Sequence, residues 1–519
     1  MFEGASFTPL TWTDMLYLAP ELALAAVFLL LVAIDLLLPN KFGRTSIGWL
    51  TLAGLLASLG LVLWRMLDMN QGGAEAETIQ LLANSYRIDD FASLLKIVFL
   101  AGASLIVLLA LGTVRDDGEI TDKGEFFYLL LPAAIGAMTM ASSGNLVTLY
   151  IGLELLSLTS YVLVGMKRRS ALSPEAAFKY LVLGGISSAF VLFGMSYIYG
   201  VTGSVDLAVI YQALPAALAD YKALVYVGFL FMVAGFGIKI AAAPFHAWAP
   251  DVYQGAPTPV AAFLAVVAKG AAMAALFRIM FGAVYFARTG EDADVAGDIF
   301  LTLLVMAAAA MLAGTTAALR QKNVKRLLAL SGVANAGYLL VPIGVSITIV
   351  HSSSFSEFVY YLVAYFFMTI GAFAVFAVVS RAAGHEELKG FAGMYYRSPW
   401  TAAAMVVFVL SLAGLPVSGG FFGKLFILFG AANAKAYWLV GIIVVSSVIS
   451  YYFYFGLVRQ MFMRSGAADQ PIPVPVTAGI VIWLCAVATL ALGAFPGPLM
   501  GWIDSVFSIG RDLLFVPFS

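Results

Sequence analysis

Charged residues are scarce in this chain: aspartate, glutamate, lysine and arginine make up 11% of its 519 residues, against about 25% in soluble proteins. With 62% hydrophobic residues, the composition suits lipid rather than water as the solvent. The single cysteine, Cys485, excludes an internal disulfide and an iron–sulfur cluster held by cysteines of this chain. The three histidines leave little to bind haem or zinc, and the net charge of −1 gives no sign of a nucleic-acid partner.

Long apolar runs, bounded by charged residues or by proline and glycine, predict an all-α integral membrane protein with about fourteen transmembrane helices. The runs are too long and too continuously apolar for barrel strands. The predicted spans, numbered first to fourteenth in chain order, are 16–38, 45–67, 91–113, 126–142, 145–166, 175–200, 223–243, 257–281, 299–318, 326–348, 358–380, 399–430, 436–460 and 475–496. Residues 1–15 lack the positive charge with which a cleavable signal peptide begins.

Two spans contain helix-breaking residues. The seventh runs into Pro244, and the twelfth, which is too long for one crossing, contains Pro416, Gly419 and Gly420. Unwound backbone at membrane depth is tolerated where it is buried in protein or lines a wet cavity, and transporters build ion sites from such broken helices. We therefore expect functional residues near both breaks.

Lysine and arginine are concentrated on the loops that follow odd-numbered spans, for example at Arg168, Lys322 and Arg397. Loops rich in positive charge remain in the cytoplasm. The sequence therefore predicts a multi-pass protein of a cell membrane with both termini on the outer, periplasmic side.

A few ionisable residues lie inside apolar spans, where a charge costs at least about 2.5 kcal/mol at the bilayer centre. Four are placed at mid-membrane depth or beside a break: Glu154 in the fifth span, Lys239 in the seventh, Lys269 in the eighth and Lys424 in the twelfth. No substrate-sized polar cluster accompanies them, so the pattern favours a chain of proton-transfer sites over a solute pocket. The alternative for each is structural, as a paired carboxylate or as a lysine that reaches the interface.

Other polar residues of the spans are less informative. Lys179 lies close to a basic loop and is equally compatible with an interfacial lysine, and His246 fits either a proton relay or a packed core histidine. Residues nearer span ends favour a structural role: Lys96, Arg278, Glu21 and Asp35.

The physical basis of proton transfer by such residues is a change in local charge. Burial disfavours the ammonium form of a lysine, and a nearby carboxylate restores it. At about 4 Å and an effective dielectric constant of about 20, the pair gains roughly 4 kcal/mol. Movement of Glu154 relative to Lys239 is therefore expected to load or release a proton.

Pro244–Trp248 (PFHAW), followed by Asp251–Val260 (DVYQGAPTPV), resembles the signature of the N-type membrane subunit of complex I, the respiratory NADH:quinone oxidoreductase. Three further segments resemble this family: Gly152–Leu155, Gln321–Leu328 and Gly420–Lys424. The L- and M-type subunits and Mrp-type sodium/proton antiporters share the first motif but usually lack Val252–Gly255. The resemblance covers about residues 15–495.

The resemblance implies a fourteen-helix subunit of a bacterial membrane with two inverted five-helix repeats, helices 4–8 and 9–13. The chain then divides into segments 1–125, 126–298, 299–465 and 466–519. The family's proton path falls on Glu154, Lys239, Lys269 and Lys424, and Lys179 and His246 match further positions that the family uses. No redox cofactor is implied in this chain; NADH, FMN, iron–sulfur clusters and quinone are implied in partner subunits, with K-type and M-type subunits in the membrane.

One position departs from the family. The tenth helix of many relatives reads Tyr-Ser-Ser-Ile-x-His, whereas this chain has Leu330–Asn335 (LSGVAN). Asn335 cannot titrate, so water or a neighbouring group must take the place of the histidine. Three alternatives remain from the sequence: an Mrp-type cation/proton antiporter subunit, a non-transporting membrane scaffold, and the equivalent subunit of a photosynthetic or F420-dependent relative of complex I.

Overall fold

The computed structural model describes residues 11–37, 44–71, 78–114, 117–284, 293–345, 353–464 and 470–513. The predicted ends of the first and tenth spans, at 38 and 348, lie outside these ranges, as does the predicted segment boundary at 465/466.

Thirteen helices in the described ranges are long and apolar enough to cross a membrane. They are Ala19–Leu37, Thr45–Leu67, Asp90–Thr113, Lys123–Ala141, Leu146–Val164, Leu172–Thr202, Leu207–Lys239, Thr258–Val284, Val295–Ala318, Val324–Gly344, Ser354–Ala383, Tyr437–Met463 and Val476–Ala494. The twelfth span consists of two half-helices, Pro399–Ala413 and Gly419–Asn433. Counting this pair as one crossing, the prediction of an all-α membrane protein with about fourteen spans is confirmed.

Short elements connect the spans. One was not predicted: the strands Ile79–Leu81 and Tyr86–Ile88 form a small antiparallel ribbon. The short helices are Trp12–Tyr17, Ala249–Gly255, Leu388–Phe391, Met394–Arg397, Pro496–Val506 and Ile509–Asp512.

The seventh span differs from its predicted start at 223. Its helix begins at Leu207, capped by the side chain of Asp206, and bends at Tyr221, where φ is −131° and ψ is 35°. The early part buries Leu207, Ile210 and Leu214 on one helical face. The predicted start at 223 is wrong because the charged residues that follow this amphipathic segment resemble a loop between two spans.

Both predicted breaks are present. The seventh span ends at Lys239, Ala241 follows with a φ of 56°, and helix resumes only at Ala249. In the twelfth span the first half-helix ends at Ala413, and Gly414 follows with a φ of 84°, which suits a residue without a Cβ.

Consecutive spans pack closely where glycines replace larger side chains. A methyl group added at Gly136 in the fourth span would lie 2.6 Å from the main-chain nitrogen of Leu156 in the fifth. One added at Gly194 in the sixth would lie 2.5 Å from the carbonyl oxygen of Gly228 in the seventh. Small residues allow such backbone approach in membranes. The eighth, tenth and eleventh spans are almost wholly buried, so they form the centre of the bundle.

Candidate proton-transfer site

Glu154 and Lys239, both partly buried, belong to one polar group at the contact of the fifth and seventh spans. Lys239 Nζ donates to Ser157 Oγ at 2.8 Å, to Tyr161 OH at 3.1 Å and to the carbonyl oxygen of Gly184 at 3.4 Å. Glu154 lies one helical turn before Ser157, and its Oε1 is buried without a hydrogen-bond partner among the described residues. The structure therefore holds the ammonium on hydroxyls, with the carboxylate one turn away.

Aromatic rings close this group towards the break after Lys239. The ring of Tyr161 meets that of Tyr180 edge-on at 4.9 Å, and Tyr180 stacks on Trp248 at the same centroid distance. Trp248 Nε1 in turn donates to the carbonyl oxygen of Ile238 at 2.9 Å. This hydrogen bond satisfies a carbonyl that the broken helix leaves without its usual partner.

Lys269 lies at the centre of the bundle. Its side chain is buried, and Nζ donates at 2.6 Å to the carbonyl oxygen of Gly332 in the tenth span. A π-helical segment, Leu264–Ala268, immediately precedes it. Such π-turns inside α-helices are frequent at functional sites because they re-aim the following side chains.

Lys424 is held by the end of the first half-helix of its own span. Nζ donates to the carbonyl oxygens of Leu412 at 2.8 Å and Ala413 at 3.2 Å, and it lies 4.7 Å from the ring centroid of Tyr338. The carbonyl end of a helix carries partial negative charge. The break in the twelfth span therefore provides a cation site made from main chain.

Hydroxyl and amide groups fill the space between Lys269 and Lys424. Asn335 Oδ1 accepts a 2.5 Å hydrogen bond from Tyr361 OH, and Asn335 Nδ2 donates at 2.8 Å to the carbonyl oxygen of Ser331, which precedes Gly332. The rings of Tyr361 and Tyr338 are 6.0 Å apart. Tyr338 OH is 2.6 Å from Ser446 Oγ.

These groups, which we call the hydroxyl cluster, lead from the eighth span to the twelfth. Its members come from the tenth, eleventh and thirteenth spans: Ser331, Asn335, Tyr338, Tyr361, Ser446 and Tyr454. Tyr454 OH is 2.5 Å from Ser331 Oγ. The cluster occupies the position at which the sequence required a substitute for histidine.

Lys179 lies at the surface of the bundle, apart from the buried lysines. Its side chain is 39% exposed and pairs with Glu175 and with Asp251, both at 2.7 Å. Arg326 contacts the other oxygen of Asp251 at 2.5 Å. Partial burial raises the pKa of Asp251, but hydrogen bonds from Lys179 and Arg326 outweigh it and hold that pKa below its usual value. Lys179 therefore joins an interfacial ion cluster.

His246 lies in the turn after Pro244, and its side chain is partly buried. Its Nδ1 is buried and has no hydrogen-bond partner in the described part of the chain. The other charges that favoured a structural role are ion-paired: Arg278 with Asp89 at 2.9 Å, Lys96 with Glu21 at 2.8 Å, and Asp35 with Arg44 at 2.6 Å.

Two sets of polar residues escaped the sequence interpretation. The tyrosines of the hydroxyl cluster were read as apolar because their spans carry few charges, although neutral hydroxyls at this depth were the available signal. The helix of the tenth span begins at Val324 rather than at the predicted residue 326, so Lys325 belongs to this helix, and the side chain of Lys325 is buried. Asn323, as an N-cap, marks that helix start in the sequence.

Comparisons with known proteins show which family this chain resembles. The sequence profile described as NADH:quinone oxidoreductase/Mrp antiporter, transmembrane, matches residues 143–450. The chain is 68% identical over 515 residues to the NADH-quinone oxidoreductase subunit N of Paenibacillus sp. (strain JDR-2), which covers 98% of this chain and 99% of the relative.

Two solved structures have similar folds. A chain of respiratory complex I from Thermus thermophilus with bound aureothin superposes with a TM-score of 0.75 at 31% identity, over 93% of this chain and 98% of that one. A chain of the Mrp complex from Dietzia sp. DQ12-45-1b superposes with a TM-score of 0.80 at 20% identity, over 95% and 99% of the two chains. The second likeness concerns the fold alone.

Proposed function

Because this chain belongs to the NADH-quinone oxidoreductase subunit N family, we propose that it carries protons across the membrane through its buried lysines while quinone is reduced elsewhere in the complex. It is a multi-pass membrane component of an NADH:quinone oxidoreductase complex, and its partners are other subunits of that complex. In this proposal the chain itself performs no redox chemistry.

One observation carries the proposal. Lys269 and Lys424 are both buried, and among the residues that the structure describes their ammonium groups donate hydrogen bonds to main-chain carbonyls and pair with no carboxylate. A buried ammonium without a carboxylate partner is costly, because burial removes water from the charged form, whereas the neutral amine loses much less by burial. Two lysines of this kind, connected by the hydroxyl cluster, are suited to gain and lose protons during a transport cycle.

The proposed route starts at Glu154 and Lys239, continues through Lys269 and ends at Lys424. When Glu154 approaches Lys239, it stabilises the protonated amine; when it withdraws, the proton moves on. Ser157 and Tyr161 hold the amine between these states. His246 and Lys179 serve the same path from the break and from the interface.

The assembly follows the family pattern in this proposal. The chain lies in a bacterial cell membrane with both termini on the outer side, and its partners include K-type and M-type membrane subunits. It contains two inverted repeats, helices 4–8 and 9–13. NADH, FMN, iron–sulfur clusters and quinone belong to partner subunits, whose redox reaction drives the proton movement.

A second candidate is a cation/proton antiporter of the Mrp type, favoured only by the shared fold. The equivalent subunit of a photosynthetic or F420-dependent relative would use the same lysines with another electron donor. The sequence Val252–Gly255 and Lys424 favour the first proposal.

The test is Lys239→Ala in the complete complex, in inverted vesicles of the native membrane. Proton uptake and quinone reduction are measured together with NADH as donor. We expect the ratio of protons to electrons to fall, whereas Lys389→Ala, at a side chain 82% exposed, leaves it unchanged. An unchanged ratio in Lys239→Ala contradicts the proposal, and sodium-dependent uptake without NADH would favour the antiporter.

A further inference from the structure

A polar cleft of about 400 Å³ opens at the end of the bundle that bears the loops after odd-numbered spans. Its walls come from the loop 117–120, Lys167 after the fifth span, the start of the eighth span at Pro257 and Thr258, and the residues after the eleventh span, including Glu386. The cleft therefore collects four connections at the margin of the buried centre.

Lys325 lies directly behind Glu386. Its side chain is 1% exposed, and Nζ pairs with Glu386 Oε1 at 2.7 Å, whereas the side chain of Glu386 is 29% exposed. Nζ also donates to the carbonyl oxygen of Ala256 at 2.9 Å. One carboxylate thus touches water in the cleft on one side and a buried ammonium on the other.

The main chain fixes this pair. Val324 N donates to the carbonyl oxygen of Glu386 at 2.9 Å, and Leu388 N donates to that of Lys322 at the same distance. The side-chain amide of Asn323 donates to Glu386 Oε2 at 3.3 Å. Glu386 therefore stays beside Lys325, while its carboxylate is accessible from the cleft.

Lys325 is aligned with Lys269. Lys325 and Gly332 are seven residues apart on one helix, so they lie on the same face about 10 Å apart. The carbonyl oxygen of Gly332 is the acceptor for Lys269 Nζ. The short side chain of Ala329 occupies the turn between them.

The other ionisable residues that line the cleft are Asp117, Glu119, Lys167, Arg381 and His385. Lys167 pairs with Glu119 at 2.9 Å and lies 3.8 Å from Asp117. Glu386 differs from these two acids, because its partner lies in the protein interior rather than in the cleft.

We propose that the cleft is the entrance for protons, and that Lys325 and Glu386 pass them from water to Lys269. The inference rests on the proposed function and deepens it. A proton from cleft water binds the Glu386 carboxylate after Lys325 has given its own proton inward to neutral Lys269 through intervening water. Glu386 then returns its proton to the Lys325 amine, which restores the ion pair.

A tether without proton transfer is the competing explanation, because Lys325 also joins the tenth span to the start of the eighth. Arginine separates the two explanations. Its guanidinium keeps the charge and the pairing with Glu386 but does not give up a proton in proteins. A tether survives Lys325→Arg, whereas a proton relay does not.

The experiment uses the whole complex in inverted membrane vesicles with NADH as donor. We expect Lys325→Arg and Lys325→Met to lower the proton-to-electron ratio as far as Lys269→Met does, with normal amounts of assembled complex in Lys325→Arg. The matched control is Lys322→Met, at an exposed lysine three residues before Lys325. A ratio in Lys325→Arg equal to that of the parent overturns the inference.

A chemical block tests the cleft without touching the ion pair. Gly118 lines the cleft and a Cβ there meets no atom of the described residues within 4 Å, so Gly118→Cys adds a thiol without a clash with them. Cys485, the native cysteine of this chain, is buried. We expect a charged methanethiosulfonate reagent to reduce proton uptake in Gly118→Cys several-fold relative to the treated parent complex.

The same reagent on Lys389→Cys, at a side chain 82% exposed on the same side of the membrane as the cleft, controls for modification elsewhere. Unchanged uptake after complete labelling of Gly118→Cys overturns the entrance. If Lys269→Met also pumps like the parent, the proposed function fails rather than this inference alone.

Discussion

The hydroxyl of Tyr361 donates a 2.5 Å hydrogen bond to Oδ1 of Asn335. Asn335 stands where many relatives carry histidine, and its amide turns the tyrosine hydroxyl towards the tenth span. A tyrosine hydroxyl held in this way can bind and orient water between Lys269 and Lys424. The side chain of asparagine, in contrast, does not take up or release a proton.

Tyr361→Phe is therefore expected to slow proton transfer while leaving the fold intact. Loss of one hydrogen bond is worth about 1 kcal/mol, or roughly a fivefold decrease in rate. Initial rates of proton uptake in vesicles measure it. The control is Tyr360→Phe, because the neighbouring Tyr360 hydroxyl binds the carbonyl oxygen of Leu492 in the fourteenth span. Equal rates in both variants would remove Tyr361 from the path.

Lys424→Met separates stability from transport. It replaces a buried ammonium, which donates hydrogen bonds to two main-chain carbonyls, by an apolar side chain of similar length. Burial of a charge costs several kcal/mol, and the apolar side chain removes this cost. We expect an unchanged or higher melting temperature in detergent together with loss of proton uptake. A large drop in melting temperature would mean that Lys424 is structural.

Gly420→Ala is expected to damage the twelfth span. The added methyl would lie 2.0 Å from the carbonyl oxygen of Ser411, which is main chain and cannot rotate away. Overpacking of this kind costs typically about 1–3 kcal/mol. The yield of assembled complex and its melting temperature are the measurements. Gly441→Ala, where a methyl meets no atom within 4 Å, is the control and should match the parent.

Arg278→Met is expected to be strongly destabilising. Arg278 and Asp89 are fully buried and form a bidentate ion pair, with both nitrogen–oxygen distances at 2.9 Å. Removal of one partner from a buried pair costs about 3–5 kcal/mol. Thermal unfolding in detergent measures it against Lys389→Met, which removes an exposed partner of Glu387. A small effect at Arg278 would show that water enters the site.

The sequence predicts the spans and both breaks well, because long apolar runs and Pro244 act through local chemistry. Lys239 and Lys424 could be placed beside the breaks for the same reason. It does not predict that Ser157, rather than Glu154, contacts Lys239, since this depends on how two helices are rotated against each other.

The sequence does not predict the helical segment that begins at Leu207, because Pro215, Asp220 and Lys222 are residue types that are common in loops. The hydroxyl cluster was missed because its members come from three spans that only packing brings together. Lys325 is also hard to place from the sequence. A lysine at the start of a helix is usually exposed, yet the carbonyl oxygen of Ala256 and the carboxylate of Glu386 enclose this one.

The close backbone contact at Gly136 pairs the fourth span with the fifth, and that at Gly194 pairs the sixth with the seventh. Each pair consists of consecutive helices, so both members leave the ribosome within seconds of each other. The span that carries Glu154 or Lys239 can therefore enter the bilayer as half of a preformed helical hairpin, with its polar side chain shielded by the partner helix. Bulky residues at these glycines would first be felt during biosynthesis, as failed insertion, before any loss of transport became measurable.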